Sequence, residues 1–434
     1  MLVFGMVVRV VMLVVGMVLG GRACLRHQSC PQAWLRSSPP FPGVQSLGNA
    51  TAALRMERPR IPYVIPEPRF APPARKRMIQ SQERDESGFR RPRKVCVLGV
   101  GQMGLVAAAL LCPAEGESRP ALEVVLWSHS EDESGPLKQT RTSQRLPGFM
   151  LPDKVRVAMT DAEALDGADL IVTAIPVQFI RSVWVRLKNL VPAGASVVSV
   201  SKGIENETLL RPTQIVADVL EDDPDAAPRP IGVLSGPTIA VELARGLPAT
   251  MVASSEMGGF SSALQALFST SFLRVYTNED TLGVELAGAT KNVIAIAAGI
   301  LDGLQAGSNA KSALLARGLA EITRLGLAMG ASSQTFFGIA GVGDLATTCF
   351  SPEGRNRSLG EALGRGKSLH EYLSSSKFVV EGVATTRSVV DLASRYRVEM
   401  PITQAVHAVL FERLDPIHAI SMLMNRDLKG EQVD

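Results

Sequence analysis

The chain has 434 residues, 46% hydrophobic and 20% charged, which fits a globular protein of about two domains. Its formal charge of +3 hides an asymmetry, because residues 1–92 carry 14 Lys+Arg against 5 Asp+Glu. The remainder is mildly acidic, which argues against a nucleic-acid partner. The five cysteines (Cys24, Cys30, Cys96, Cys112 and Cys349) are irregularly spaced, so reduced structural thiols and no metal site are expected.

Residues 1–20 form an apolar run interrupted only by Arg9, and small residues follow at Gly20, Gly21 and Ala23. The stretch 10–19 is short for a membrane span and suits the hydrophobic core of a signal peptide. Residues 22–56 then carry Arg22, Arg26, Arg36 and Arg55 with no acid before Glu57. This arrangement suggests a two-part address of the kind that reaches plastids through the secretory route. A plain signal peptide or a membrane anchor is the alternative. Residues 57–92, rich in Pro and Arg, read as a disordered linker. The expected organisation is a leader and linker over 1–92, a nucleotide-binding domain over 93–280 and a helical domain over 281–434.

The run KVCVL at 94–98 breaks into GVGQMG, with Gly99, Gly101 and Gly104 at GxGxxG spacing, and LVAAALL follows. In a strand–turn–helix unit these glycines permit a tight turn, backbone approach to a pyrophosphate, and close helix–strand packing. The second strand, EVVLW at 123–127, ends at Ser128 and His129, where an Asp or Glu would hold a ribose hydroxyl. Without that acid NADP is admissible beside NAD. His129 is a candidate contact to the adenosine ribose or phosphate, or a solvent-facing loop residue.

Further strand-like runs at 169–175, 196–201, 231–234 and 249–253 alternate with helical segments. The expected fold is therefore α/β: an N-terminal Rossmann-like, doubly wound parallel sheet followed by an all-α C-terminal domain. Lys202 and the Gly236-Pro237-Thr238 turn fall at strand carboxyl ends, where ligands bind in such sheets.

After Asp280 the segments 283–301, 312–329, 356–365, 381–396, 401–413 and 416–424 read as helices. Residues 283–303 are small or apolar throughout, and Glu285 and Lys291 are the only charges before Asp302. A helix apolar on every side is buried, and a desolvated ammonium loses its proton more easily. Lys291 is thus a candidate proton carrier; a lysine snorkelling out to water is the competing reading. Asp344 is the lone acid in the glycine-rich stretch 336–349, read as a loop, and is a partner for a lysine or substrate hydroxyl or a helix cap. At 354–357, GRNR offers a guanidinium fork suited to phosphate.

The strings GVGQMG, VVLWSH, SKGIE, SGPTIAVELARGLPA, VELAGATKNVIAIAAGILDG, LARGLAEITRLG, FGIAGVGDLATTC, GRNRSLG, VVEGV and VEMPIT occur in one order from about residue 94 to 429. Together they closely resemble the NAD(P)-dependent glycerol-3-phosphate dehydrogenases of bacteria and plastids. The resemblance implies an oxidoreductase interconverting dihydroxyacetone phosphate and sn-glycerol 3-phosphate, with a contribution to glycerolipid synthesis. It further implies Lys291 as the proton acceptor, Lys202 touching both substrate and cofactor, and Asp344 orienting lysine and substrate. Gly236 and Thr238 would contact substrate, and Gly354, Arg355 and Asn356 would surround its phosphate. Gly99, Gly101, Gln102, Met103, Gly104, His129, Ala240, Arg355, Val379 and Glu381 would contact the cofactor. Two departures stand out: Gln102-Met103 replaces a serine followed by an aromatic, and Gly354 replaces the commoner serine. A homodimer is expected from the apolar helices, with no membrane span after removal of the leader. The competing functions are a related hydroxyacid dehydrogenase and a membrane-tethered, non-catalytic NAD(P)H sensor.

Overall fold

The computed structural model describes residues 89, 91–112, 122–221, 229–376, 378–428 and 430–431. The leader, and all of the linker but residues 89, 91 and 92, lie outside them. In the first half, strands β1 (Lys94–Leu98), β2 (Glu123–Trp127), β3 (Val155–Val157), β4 (Leu170–Thr173), β5 (Ser196–Ser199), β6 (Ile231–Ser235), β7 (Ala249–Ser255) and β8 (Leu273–Asn278) form one sheet. Helices α1 (Gln102–Leu110), α2 (Glu131–Thr140), α3 (Asp161–Leu165), α4 (Val177–Leu187), α5 (Pro212–Leu220), α6 (Ala240–Ala244) and α7 (Phe260–Phe268) alternate with these strands. The second half is helical: α8 (Thr281–Gly303), α9 (Gly307–Met329), α10 (Ser333–Phe337), α11 (Asp344–Phe350), α12 (Arg355–Gly364), α13 (Leu369–Ser375), α14 (Glu381–Tyr396), α15 (Pro401–Phe411) and α16 (Pro416–Met424).

The strand order is β3-β2-β1-β4-β5-β6-β7-β8. Starting at β1, the chain winds outward to β3, returns across β1 to β4, and continues the other way; the reversal at β1 and β4 opens a crevice at their carboxyl ends. Both faces of the sheet are covered. Val95 and Val97 pack into one core and Cys96 and Leu98 into another, which is the period-2 alternation of a strand buried on both sides.

One expectation about the sheet is corrected. β7 runs antiparallel to β6, pairing Gly232 with Ser255 and Ser235 with Val252. Only 13 residues connect the two strands, and just five of them are helical, in α6. The chain turns back beside β6 after this short helix instead of crossing over to the end where β6 began, so the pairing is antiparallel. β8 then pairs parallel to β7. The stretch 336–349, expected as a loop, is also corrected: α10 leads into a π-helical turn at Ile339–Gly343 and then α11.

Helix α8 is the axis of the second half, with 20 of its 23 residues buried. By length and composition it would pass for a membrane span, but its apolar surface is covered by neighbouring helices. Asp280 caps its start, accepting from the Gly283 N–H at 2.8 Å. Buried Glu285 is held by Arg211 at 2.5 Å and by both the backbone N–H and the hydroxyl of Thr213. Against α12 the contact is backbone to backbone. A Cβ on Gly299 or Gly303 would overlap the carbonyl oxygens of Arg357 or Glu361, and one on Gly360 would overlap that of Ile296. At these glycines the two helices meet with no side chain between them, and Arg357 on α12 is ion-paired with Asp302 on α8 at 2.6 Å.

Candidate active site

At the strand carboxyl ends the sheet and the helical half enclose a cleft of about 500 Å³. One arm begins at the β1–α1 turn. Gly99 has φ +114°, and its N–H donates to the Trp127 carbonyl at 2.8 Å, tying the start of the turn to the end of β2. A Cβ on Gly104 would overlap the Gly99 carbonyl oxygen, whereas one on Gly101 would meet nothing within 4 Å. The first contact sets helix against turn, and the second leaves open space where backbone can approach a ligand. With the N-terminus of α1 facing that space, the turn fits a dinucleotide pyrophosphate. Gly101, Gln102, Met103 and His129 line this arm, and Gly104 lies beneath it as a packing contact.

At the other arm, three charges from distant parts of the chain converge. Asp344, at the first position of α11, is 1% exposed and lies between two ammonium groups. Lys202 Nζ, arriving after β5, donates to Asp344 Oδ2 at 2.7 Å and to the Gly236 carbonyl at 3.0 Å. Lys291 Nζ, midway along α8, donates to Asp344 Oδ1 at 2.5 Å and to Thr348 Oγ1 at 2.6 Å. The Thr348 hydroxyl in turn donates to the Asp344 carbonyl at 2.7 Å. One carboxylate thus serves two cations, leaving net positive charge in a site shielded from water.

Burial is the largest influence on Lys291 and pulls its pKa down. Asp344 opposes this and the like charge of Lys202 reinforces it, so the ammonium falls from an ordinary 10.5 to about 8. Lys291 is 6% exposed and lines the cleft, so its side chain does not reach out to bulk water. An amine poised near neutrality can both give and take a proton.

Beyond the lysines, α12 starts at Arg355, with Gly354 just before it. The Arg355 guanidinium donates to the Val379 carbonyl at 3.3 Å and lies 5.9 Å from the Phe378 ring centre. Asn356 is buried and its Oδ1 accepts from the Gly382 N–H at 2.9 Å, so its amide N–H₂ remains to donate. Glu381, half-buried at the start of α14, has its pKa raised by burial, against the pull of Arg355, Lys202 and Lys291.

Of the residues singled out from sequence, Gly99, Gly101, Gln102, Met103, His129, Lys202, Thr238, Ala240, Lys291, Asp344, Gly354, Arg355, Asn356, Val379 and Glu381 line this cleft. Gly236 takes part through its carbonyl, and its φ of +133° suits glycine. The cleft also holds residues that the sequence reading did not assign, among them Asn292, Thr348, Glu133 and Arg145. Thr348 is one helical turn past Asp344, on the same face, and that spacing was a usable signal. Glu133 reaches the site from the first turn of the helix after β2, whereas Arg145 reaches it from the loop beyond that helix.

A dinucleotide cradle beside a positively charged, proton-exchanging, water-poor centre defines a nicotinamide-dependent oxidoreductase. Family models described as the N-terminus and C-terminus of NAD-dependent glycerol-3-phosphate dehydrogenase match residues 94–260 and 280–421. A relative from Salinibacter ruber named glycerol-3-phosphate dehydrogenase (NAD(P)+) 1 is 44% identical, over 78% of this chain and 96% of its own length. One of the same enzyme name from Mycobacterium leprae is 42% identical over 78% and 97%. The crystal structure of glycerol-3-phosphate dehydrogenase from Coxiella burnetii superposes with a TM-score of 0.71 at 35% identity, covering 77% of this chain and 99% of that one. The chain belongs to the NAD-dependent glycerol-3-phosphate dehydrogenase family.

Proposed function

We propose that this protein interconverts dihydroxyacetone phosphate and sn-glycerol 3-phosphate, with Lys291 as the proton carrier and Arg355 and Asn356 as the phosphate anchor. The observation that carries this reading is the placement of Lys291, Lys202 and Asp344 in one cleft with Arg355 and Asn356. A bidentate guanidinium and an amide donor suit a phosphate monoester. Anchored there, the substrate would present its C2 oxygen to the lysines. When bound, the reduced nicotinamide supplies the hydride that C2 receives. As the carbonyl electron pair moves onto O2, the Lys291 ammonium provides the proton and Lys202 holds a second positive charge close by. Asp344 keeps the two amines apart and directed. Fixed charge aimed at a developing oxyanion contributes on the order of 100- to 1000-fold in rate per donor. In the oxidative direction, neutral Lys291 takes the hydroxyl proton.

The test is oxidation of NADH or NADPH by purified protein on addition of dihydroxyacetone phosphate, with 2-keto acids as the comparison. Rapid oxidation confined to the phosphoester is expected. Turnover only with keto acids would point to a hydroxyacid dehydrogenase, and binding without turnover to a sensor.

The apolar segment and arginine-rich, acid-poor stretch of residues 1–92 support a plastid address, in which the enzyme would supply glycerol 3-phosphate for glycerolipids. A fluorescent fusion of residues 1–92 should accumulate in plastids; retention in the endoplasmic reticulum or at a membrane would favour the signal-peptide or anchor alternative. A homodimer is proposed on the apolar character of the helical half, and a light-scattering mass of one chain would refute it.

A further inference from the structure

The residue following β2 is Ser128, so the strand lacks the carboxylate that ordinarily receives a ribose 2′-hydroxyl at that position. A carboxylate nevertheless stands there. Glu133, in the first turn of α2, folds back so that its Oε2 accepts the Ser128 hydroxyl at 3.0 Å, and it lines the cleft beside Ser128 and His129. Its other oxygen, Oε1, accepts from Arg145 Nε at 3.0 Å. Burial alone would raise the Glu133 pKa, but hydrogen bonds from Arg145 and Ser128 outweigh it and the group is held below the usual carboxylate range.

Among the described residues, the guanidinium that lines this end of the cleft and the one stacked beside it on Trp127 already have carboxylate partners. Arg145 is tied to Glu133. Arg186, which lies 5.5 Å from the Trp127 ring centre, donates to Asp161 Oδ2 at 2.6 Å and Oδ1 at 2.7 Å. A 2′-phosphate arriving beside Ser128 would meet the Glu133 carboxylate before any unmatched guanidinium. A ribose 2′-hydroxyl would instead find an acceptor with lone pairs to spare.

We infer that Glu133 takes the place of the missing strand-end acid and makes the cleft select NAD(H) over NADP(H), with Arg145 holding the carboxylate in position. This rests on the reading of the cleft as a nicotinamide dinucleotide site. The acid absent at 128 is supplied five positions later, on the helix that follows the strand.

The test is equilibrium binding of NADH and NADPH to the full chain, followed by nicotinamide fluorescence without substrate, for wild type, Glu133→Gln and Glu133→Ala. Wild type is expected to bind NADH at least about tenfold more tightly than NADPH. Both variants are expected to narrow that ratio by about tenfold, mainly by tightening NADPH once Arg145 is released. Equal affinities in wild type, tighter NADPH binding through His129 or Arg145, or an unchanged ratio in both variants would overturn the inference while leaving the dinucleotide site intact. Failure of wild type to bind either cofactor would remove the dinucleotide reading and the inference together.

Discussion

Replacing Lys291 by Met is expected to abolish turnover and leave the fold about as stable as before. The side chains are similar in length, so the ammonium is the main loss. In the native site its pKa is pushed from 10.5 to about 8. Below pH 8 both folded and unfolded chains carry the proton, and a depression of that size costs the folded state about 3 kcal/mol. Methionine removes that cost. Against this, Asp344 loses the donor at 2.5 Å and keeps Lys202 at 2.7 Å. A buried acceptor short of one partner costs about 1–3 kcal/mol, so the two effects nearly cancel. Tm should stay within about 5 °C of wild type. Catalysis has no such offset. Oxyanion stabilisation and proton transfer each contribute on the order of 100-fold or more; because one group supplies both, a loss of at least about 1000-fold in kcat is expected. The assays are cofactor oxidation at saturating substrate, thermal denaturation followed by circular dichroism, and NADH binding, which should be nearly unchanged. A residual rate above about a tenth of wild type would remove Lys291 from the chemistry. A fall in Tm beyond about 10 °C would show that the ammonium serves mainly as a strut for Asp344.

The same amine sets a pH dependence. Glycerol 3-phosphate oxidation, which needs neutral Lys291, should rise as pH passes about 8, and dihydroxyacetone phosphate reduction should fall over the same range; profiles flat from pH 7 to 9 would contradict this. Stability should also rise between pH 8 and 10.5, where the unfolded chain holds a proton that the native one has released, and Lys291→Met should lose that rise. Arg355→Lys should raise KM for substrate about tenfold or more with a smaller change in kcat, because a point charge cannot reproduce the fork; an unchanged KM would count against the phosphate role. Gly104→Ala would drive a Cβ into the Gly99 carbonyl, so a loss of about 1–3 kcal/mol and weaker cofactor binding are expected. Wild-type Tm and affinity in that variant would refute the packing argument.

Much of the fold was legible because local pattern and burial agree. The runs at 94–98 and 123–127 are strands with the bounds read from sequence, and the apolar stretch around Lys291 is a buried helix. What escaped has physical causes. β3 is three residues long with Arg156 at its centre, too short for a periodic signal. β8 does alternate, Leu273 and Val275 inward and Arg274 and Tyr276 outward, yet nothing local fixes its place next to β7. The direction of β7 depends on the path of the preceding connection rather than on its own residues. In the site, Lys202, Lys291 and Asp344 could be named as separate candidates, whereas the sharing of one carboxylate by two lysines exists only once strand, helix and π-turn are assembled. Glu133 was invisible for a related reason: its role comes from folding back over Ser128.

The glycine seam between α8 and α12 acts as a ruler. The proposed proton donor rides on one helix and the phosphate anchor begins the other, and with bare backbone at the contact no rotamer can stretch the gap. A phosphoester one carbon longer should be unable to engage both ends at once, while a shorter one should leave an end empty. Chain-length selectivity would then reside about two to three helical turns beyond Lys291, in residues that line no part of the cleft.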